Sequence, residues 1–233
     1  MGTPREWARL RESEPEQRDD EDLWATGYGV MGVPFGSGHV LALRRWTASS
    51  AGIPFTSIWH RTPDGRWRFY ESTDSTVACS RWFATSSDTP IPAQIDIAWL
   101  DDWTLQVRSV EVDWTVRLAA TPVTRAMSVV AGNLPDRMWH SRATLTAMQT
   151  MATAAMGVGT VGLLGRTPSG GEFDASPQRV WRVADSHALI DGADAGVPHP
   201  LPVQAAVGDF AIPQRGIFAI GGIALRPAER RGD

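Results

Sequence analysis

The stretch IDIAWLDDWTLQVRSVEVDWTVRL (95–118) carries the clearest structural signal in the sequence. Apolar and polar residues alternate in three successive runs, with Trp99, Leu105 and Trp114 on the apolar side of their runs. A period of two places successive side chains on opposite faces of a strand, so each run is half apolar and half polar. Three such runs in succession predict an antiparallel meander with one buried face.

Short β-type runs separated by glycine and proline extend on both sides of this meander. The one clear helical pattern begins after Ser141, a suitable N-cap residue, and ends at Gly157, a suitable C-cap residue. Its apolar residues recur at spacings of three and four: Leu145, Met148, Met151, Ala152 and Ala155. We therefore predict a mainly β chain with one helical segment.

These patterns also divide the chain along its length. We predict a flexible acidic tail (1–22), a first β half (23–121), a helical connector (122–157), a second β half (158–226) and a short tail (227–233). The turns RTPDG (61–65) and RTPSG (166–170) each separate two β runs and differ at one position. They are either a coincidence between two common Pro-x-Gly turns or the mark of two related β halves.

One glycine motif raises the question of a nucleotide-binding site. GVGTVGLLG (157–165) matches G-x-G-x-x-G, but the dinucleotide fingerprint requires a strand before the glycines and a helix after them. The helix N-terminus is the part that holds the pyrophosphate. Here the predicted helix comes first and a β run follows, so we interpret these glycines as structural.

Composition excludes several classes of chemistry. The four arginines and eight acidic residues of 2–22 account for the whole net charge of −4, so the remaining chain has no basic excess for nucleic acid. All 22 basic residues are arginine, which removes Schiff-base, pyridoxal and P-loop chemistry because each needs a lysine. The lone Cys79 is typical of a small buried hydrophobe, and a nucleophilic role would need a histidine beside it.

Metal, cofactor and membrane signals are weak as well. The histidines show no i, i+4 pair on a helix: they are His39, His60, His140, His187 and His199. No apolar run reaches membrane-spanning length, and no secretory signal pattern is present. We expect no metal, no cofactor and a cytoplasmic protein.

The hairpin WHRTPDGRWRFY (59–70), within a long β meander, resembles a motif of calycin (lipocalin-type) barrels. Among these the pattern is similar to the carotenoid hydratase and related cyclase group. The resemblance implies an antiparallel calycin-like barrel, or two packed half-barrels with the helical connector. It also implies that the protein binds a hydrophobic substrate.

Tryptophan is unusually frequent, with eleven residues against two tyrosines. Six of them lie within 59–114 of the first β half: Trp59, Trp67, Trp82, Trp99, Trp103 and Trp114. They indicate either the filled core of a large barrel or a cavity with flat apolar walls. We name Trp59, Trp67, Trp99 and Trp114 as candidate ligand-binding residues, and add Arg81 for a carbonyl or carboxylate group, although Arg81 alone suits a surface charge.

Three residues are candidates for acid–base chemistry. Asp96 would have a raised pKa if it faced such a cavity, His60 titrates near neutrality, and Tyr70 lies on a neighbouring strand. Solvent exposure is the simpler interpretation of both Asp96 and His60. We therefore hypothesise binding of a small apolar ligand, with possible cofactor-free cyclase, hydratase or isomerase chemistry. The alternative is a structural or interaction module with a filled barrel.

Overall fold

The computed structural model describes residues 2–18, 22–86, 88–139 and 141–227. His140, residues 19–21 of the predicted N-terminal tail and residues 228–233 of the predicted C-terminal tail lie outside the described residues. The helices are α1 (Pro4–Ser13), α2 (Ser80–Phe83), α3 (Pro122–Gly132), α4 (Asp136–Trp139) and α5 (Arg142–Met156). No helix of the described part is long and apolar enough to cross a membrane.

The strands follow the chain in short steps, apart from one strand of 19 residues. They are β1 (Leu23–Val30), β2 (Val33–Pro34), β3 (Val40–Ser49), β4 (Phe55–Arg61), β5 (Trp67–Glu71), β6 (Thr89–Pro92), β7 (Asp96–Trp99), β8 (Thr104–Arg108), β9 (Val112–Ala119), β10 (Leu164–Arg166), β11 (Glu172–Ile190), β12 (Ala193–Asp194), β13 (Ala206–Val207), β14 (Phe210–Ala211) and β15 (Ile217–Arg226).

The predicted meander is confirmed. β7, β8 and β9 pair in succession and antiparallel. Leu105, Val107 and Trp114 are buried on one face, whereas Arg108 and Arg117 on the other are exposed. The apolar and polar positions that alternate in the sequence therefore lie on opposite faces of the sheet.

One large sheet contains nearly all the described strands, in the order β6-β5-β4-β3-β1-β15-β11-β9-β8-β7. Its pairs are antiparallel except for β5 and β6, which are parallel. The mainly β class is confirmed. The sheet is mixed and follows an open path between β6 and β7, so it does not close as the expected calycin-like barrel would.

The sheet curls around a packed interior, which we call the inner cluster. Its large members are fully buried: Leu43, Tyr70, Trp114, Trp181 and Phe218. Trp99 of β7 lies edge-on to Phe218 of β15, with ring centres 5.8 Å apart. The curl thus brings strands from distant parts of the sheet together without an additional strand pair.

Part of the segment predicted as an acidic tail forms α1. Thr3 and Glu6 make a capping box at its start, and Pro4 occupies the first turn, where a missing N–H costs nothing. Ala8 is buried against the inner cluster. These local signals and this contact explain an ordered helix in a highly charged segment.

Helix α5 matches its predicted limits. The Ser141 side chain accepts a hydrogen bond from the Thr144 N–H, and Gly157 ends the helix with φ of 60°. Leu145, Met148 and Ala152 are buried as predicted. The predictions that Met151 and Ala155 belong to the buried stripe are wrong, because both side chains are exposed.

The opposite, outer face of the sheet is covered by other elements. Below α2 and the β13–β14 pair lies the outer cluster, whose buried aromatic members are Phe55, Trp59, Trp67, Phe69, Phe83, Phe173 and Phe210. Helices α3 and α5 cover the adjoining part of this face. Because the two faces are covered separately, the sheet has packed side chains on both sides.

Candidate functional site

A cavity of about 110 Å³ lies between the outer face of the sheet and helices α3 and α5. We call it the helix–sheet cavity. Strand residues Gly27 and Gly221 line it from one side, and Met127 and Met148 line it from the helices. It borders the outer cluster at Trp59.

Glycines line the sheet side of the cavity because neighbouring backbone leaves no room for a side chain. A Cβ at Gly27 would lie 2.0 Å from the Arg45 carbonyl oxygen, and one at Gly221 would lie 2.2 Å from that of Ser176. The strand register shifts beside Gly27 and again after Pro177, which marks two β-bulges. The bulged, side-chain-poor sheet leaves space that the helices do not fill.

Methionines form much of the helical side of the cavity. Met127 comes from α3, and Met148 and Met156 come from α5. Methionine is unbranched and flexible, so it adapts to the shape of what it contacts. This wall is therefore deformable, whereas the glycine-lined sheet is fixed by its hydrogen bonds.

Arg44 is the single charged side chain among the described residues that line the cavity. It lies on β3 and is 3% exposed. Its Nη1 donates hydrogen bonds to the carbonyl oxygens of Val30 at 2.7 Å and Leu43 at 2.9 Å, and Nη2 donates to Met31 at 3.3 Å. Burial lowers the pKa of Arg44 to about 10, so the group remains protonated at neutral pH.

Aromatic rings flank the same guanidinium. The Arg44 Cζ lies 4.7 Å from the ring centre of Trp59 and 5.3 Å from that of Phe210. The negative faces of aromatic rings attract a cation at these distances. Both rings also line the cavity, so charge and aromatic surface lie side by side on its wall.

Cys79 and Glu71 lie behind this wall rather than on it. Trp46 Nε1 donates to the Cys79 Sγ at 3.2 Å, and burial together with the Glu71 charge raises the pKa of Cys79 to about 11. The Glu71 carboxylate accepts hydrogen bonds from Ser80 N at 2.8 Å and Ser80 Oγ at 2.6 Å. Burial raises the pKa of Glu71. Cys79 is a buried thiol, as predicted.

The structure brings together two of the three predicted acid–base residues. The rings of His60 and Tyr70 are stacked with centres 6.3 Å apart. Asp96 lies elsewhere, exposed on β7, within 3.4 Å of Gln94. His60 is buried, so its predicted exposure in a turn is wrong.

Three further residues complete a polar cluster around His60 and Tyr70. His39 Nδ1 lies 2.8 Å from His60 Nε2, and the Tyr70 hydroxyl donates to the Glu111 carboxylate. Arg68 pairs with the same carboxylate at 3.1 Å. Burial, then the charges of His39 and Arg68, lower the pKa of His60 to about 3, and burial with the Glu111 bond raises the pKa of Tyr70.

The polar cluster lies apart from the helix–sheet cavity, because none of its members lines that cavity. Within the described residues, no group of three or more His, Cys, Asp or Glu side chains is placed to hold a metal ion. The cluster consists of a histidine pair beside a hydrogen-bonded Tyr–Glu–Arg chain.

The predicted ligand-binding residues are spread over both faces. Trp59 lines the helix–sheet cavity, and Trp67 packs in the outer cluster. Trp114 is fully buried in the inner cluster, where its Nε1 donates to Ser186 Oγ at 2.7 Å. Trp99 is partly buried against that cluster, and Arg81 is exposed, with its guanidinium 5.2 Å from the Trp82 ring.

Sequence reasoning missed Arg44 and Glu111. Arg44 lies in VLALRRW (40–46), where buried apolar residues precede it on both faces of β3, and an arginine inside such a run is a usable signal. Glu111 lies between β8 and β9 and reaches Tyr70 only because the sheet curls. No local pattern indicates that contact.

Comparisons with known proteins assign neither a family nor an activity to the chain. No protein-family model matches it, and no curated protein matches it. Among solved structures it is similar to a crystal structure of acetoacetate decarboxylase from Legionella pneumophila, with 10% sequence identity and a TM-score of 0.40. That match covers 94% of this chain and 93% of the other, but so low a score assigns neither fold nor activity. The resemblance to carotenoid hydratases receives no support.

Proposed function

We propose that the protein binds a small, mainly apolar ligand in the helix–sheet cavity. The observation that carries this proposal is a cavity of about 110 Å³ whose wall is made almost entirely of apolar side chains and glycine. Apolar cavities take up apolar molecules of matching size. Ligand pockets are typically apolar, with a few polar groups that fix orientation.

The volume of the cavity limits the size of the ligand. A buried apolar cavity of about 150 Å³ accommodates benzene. The present cavity is somewhat smaller, and its methionine wall can adapt. We therefore propose a ligand of about one ring or a short alkyl chain, and not an extended polyene.

Binding, rather than turnover, is the function that the geometry favours. None of the predicted acid–base residues Asp96, His60 and Tyr70 lines the cavity. Cofactor-free cyclase, hydratase or isomerase chemistry needs a proton donor or acceptor within hydrogen-bond reach of the reacting atom. A ligand held in this cavity would not meet those three groups.

A second candidate is an interaction module without a ligand. The packing of the inner cluster favours it, because Trp114, Trp181 and Phe218 are fully buried in the interior of the curled sheet. A filled interior supplies stability but no space for a guest molecule.

Titration of the purified protein with benzene, toluene and hexan-1-ol, followed by tryptophan fluorescence and calorimetry, separates the two candidates. Trp46 and Trp59 line the cavity, so an occupant changes their surroundings. We expect saturable binding of at least one compound, with a negative heat-capacity change from burial of apolar surface. If none binds saturably, the interaction module is the better assignment.

A further inference from the structure

Hydrophobic packing alone does not explain Arg44. Its side chain is buried, and it faces a space in which every other described lining residue is uncharged. Moving a charged group out of water is unfavourable unless hydrogen-bond acceptors or an opposite charge replace the water. In the described part of the chain, the hydrogen bonds of Arg44 all go to main-chain carbonyl oxygens.

The carbonyl groups accept hydrogen bonds from the Arg44 guanidinium, but they do not neutralise its positive charge. Glu71 is buried on the same face of the sheet, but its carboxylate accepts its hydrogen bonds from Ser80. Within the described residues, no ion pair joins Arg44 to any carboxylate. The three hydrogen bonds also use fewer than the five N–H groups that a guanidinium carries, which leaves donors for a further acceptor.

We infer that the ligand of the helix–sheet cavity is a small apolar monocarboxylate, whose carboxylate contacts Arg44 and whose hydrocarbon part lies against the methionines of α3 and α5. This inference rests on the proposed function. A single guanidinium matches a carboxylate in charge and geometry. A phosphate monoester carries almost two charges, and the described cavity wall offers no second cation for it.

The arrangement of the cavity supports this orientation. Arg44 lies beside Trp59 and Phe210 on the sheet side, whereas Met148 and Met156 line the helical side. A molecule with one anionic end and one apolar end would therefore satisfy both regions at once. A neutral ligand of the same shape would leave the charge of Arg44 without a counter-ion.

The test compares matched ligands that differ in the head group. Hexanoate, hexan-1-ol and hexyl phosphate are titrated into the wild-type protein at pH 7.5 by calorimetry. We expect hexanoate to bind about 10-fold more tightly than hexan-1-ol or more, because a charge-assisted hydrogen bond is stronger than a neutral one. Hexyl phosphate should bind more weakly than hexanoate.

Three variants test whether Arg44 causes the preference for a carboxylate head group. Arg44→Met should reduce hexanoate affinity about 10-fold or more and leave hexan-1-ol binding nearly unchanged, which removes the preference. Arg142→Met is the matched control, because Arg142 lies on α5 and is exposed. Its head-group preference should equal that of the wild type. Arg44→Lys keeps the charge and should retain a reduced preference.

The outcomes are distinguishable from one another. Equal affinity of the wild type for hexanoate and hexan-1-ol would overturn the inference and leave the proposed function standing. A preference for hexyl phosphate, or a hexanoate preference that survives in folded Arg44→Met, would also overturn it. Failure of all three ligands to bind would count against the proposed function itself. The wild-type comparison remains decisive even if Arg44→Met does not fold.

Discussion

The guanidinium of Arg44 lies 4.7 Å from the ring centre of Trp59, on the wall of a cavity that is otherwise uncharged among the described residues. The two residues come from neighbouring strands, because Ala42 of β3 pairs with Trp59 of β4 and Arg44 follows two positions later on the same face. Strand pairing therefore fixes the charge beside the indole. The helices α3 and α5 then cover part of the space in front of them.

Filling the cavity should weaken ligand binding. Ala152 is buried on α5 and lines the cavity, so Ala152→Leu places additional carbon atoms where we propose the ligand lies. We expect ligand affinity to fall about 10-fold or more, with stability within about 1 kcal/mol of the wild type because the space already exists. Calorimetric titration and urea unfolding measure the two effects.

Ala155→Leu is the control for this prediction, because Ala155 is exposed on the same helix. It should leave both affinity and stability near the wild-type values. If Ala155→Leu weakens binding as much as Ala152→Leu does, the ligand does not lie in the helix–sheet cavity.

The glycines of the cavity should be intolerant of a side chain. Gly27→Ala would place a Cβ 2.0 Å from the Arg45 carbonyl oxygen, so β1 and β3 would have to separate. We expect a loss of about 3 kcal/mol in the free energy of unfolding. Gly36→Ala is the control, because its Cβ would lie 3.7 Å from the nearest atom, and it should change stability by less than about 1 kcal/mol. Equal losses in the two variants would contradict the crowding explanation.

His60 should make the fold sensitive to mild acid. Burial, with the charges of His39 and Arg68, lowers the pKa of His60 from 6.5 to about 3. The unfolded chain therefore binds a proton below about pH 6.5 that the folded chain does not bind. Stability from this group is fully present above pH 6.5 and decreases as the pH falls towards about 3.

His60→Gln should reduce that loss of stability between pH 7 and pH 5, as measured by urea midpoints. His187→Gln is the control, because His187 is exposed, and it should keep the wild-type slope. A wild-type slope in His60→Gln would show that other groups cause the acid sensitivity.

The attachment of α1 should depend on one carboxylate. Glu12 accepts hydrogen bonds from Arg45 Nε and Nη2, each at 2.9 Å, and from the Tyr28 hydroxyl at 2.9 Å. Burial opposes its ionisation, but the hydrogen bonds and charge of Arg45 and the Tyr28 bond outweigh burial and lower the pKa of Glu12. The stabilisation is thus present above about pH 4.5 and is lost at lower pH.

Glu12→Gln should weaken this contact by about 1 kcal/mol, since the side chain is partly exposed and solvent screens the pair. Hydrogen exchange of the α1 amides at pH 7 measures the effect as lower protection. Glu14→Gln, at an exposed position, should leave protection unchanged. Unchanged protection in Glu12→Gln would mean that other contacts hold α1, such as the buried Ala8 and the Arg179 guanidinium over the Trp7 ring.

Local patterns predicted the elements whose causes are local. The alternation in 95–118 identified β7, β8 and β9, and the cap residues Ser141 and Gly157 marked the ends of α5. The glycine motif at 157–162 follows a helix, as predicted, with Gly157 and Gly159 at positive φ. Each of these features depends on neighbours within a few residues.

Features that depend on distant contacts were not predictable in this way. The sequence of the 19-residue strand β11 shows no single continuous alternation, because register shifts after Pro177 and Val183 interrupt it. Its pairing with both β15 and β9 joins segments far apart in the sequence. The helix–sheet cavity arises from that arrangement, so its lining residues share no local pattern.

The most direct test of the proposed binding function is the position of a bound apolar atom. Crystals of the protein under xenon pressure give an anomalous difference map, and xenon enters apolar cavities without needing polar contacts. We predict the strongest peak between Trp59, Met148 and Ala152. Strong xenon peaks elsewhere, with none in the helix–sheet cavity, would contradict a ligand site between the sheet and the two helices.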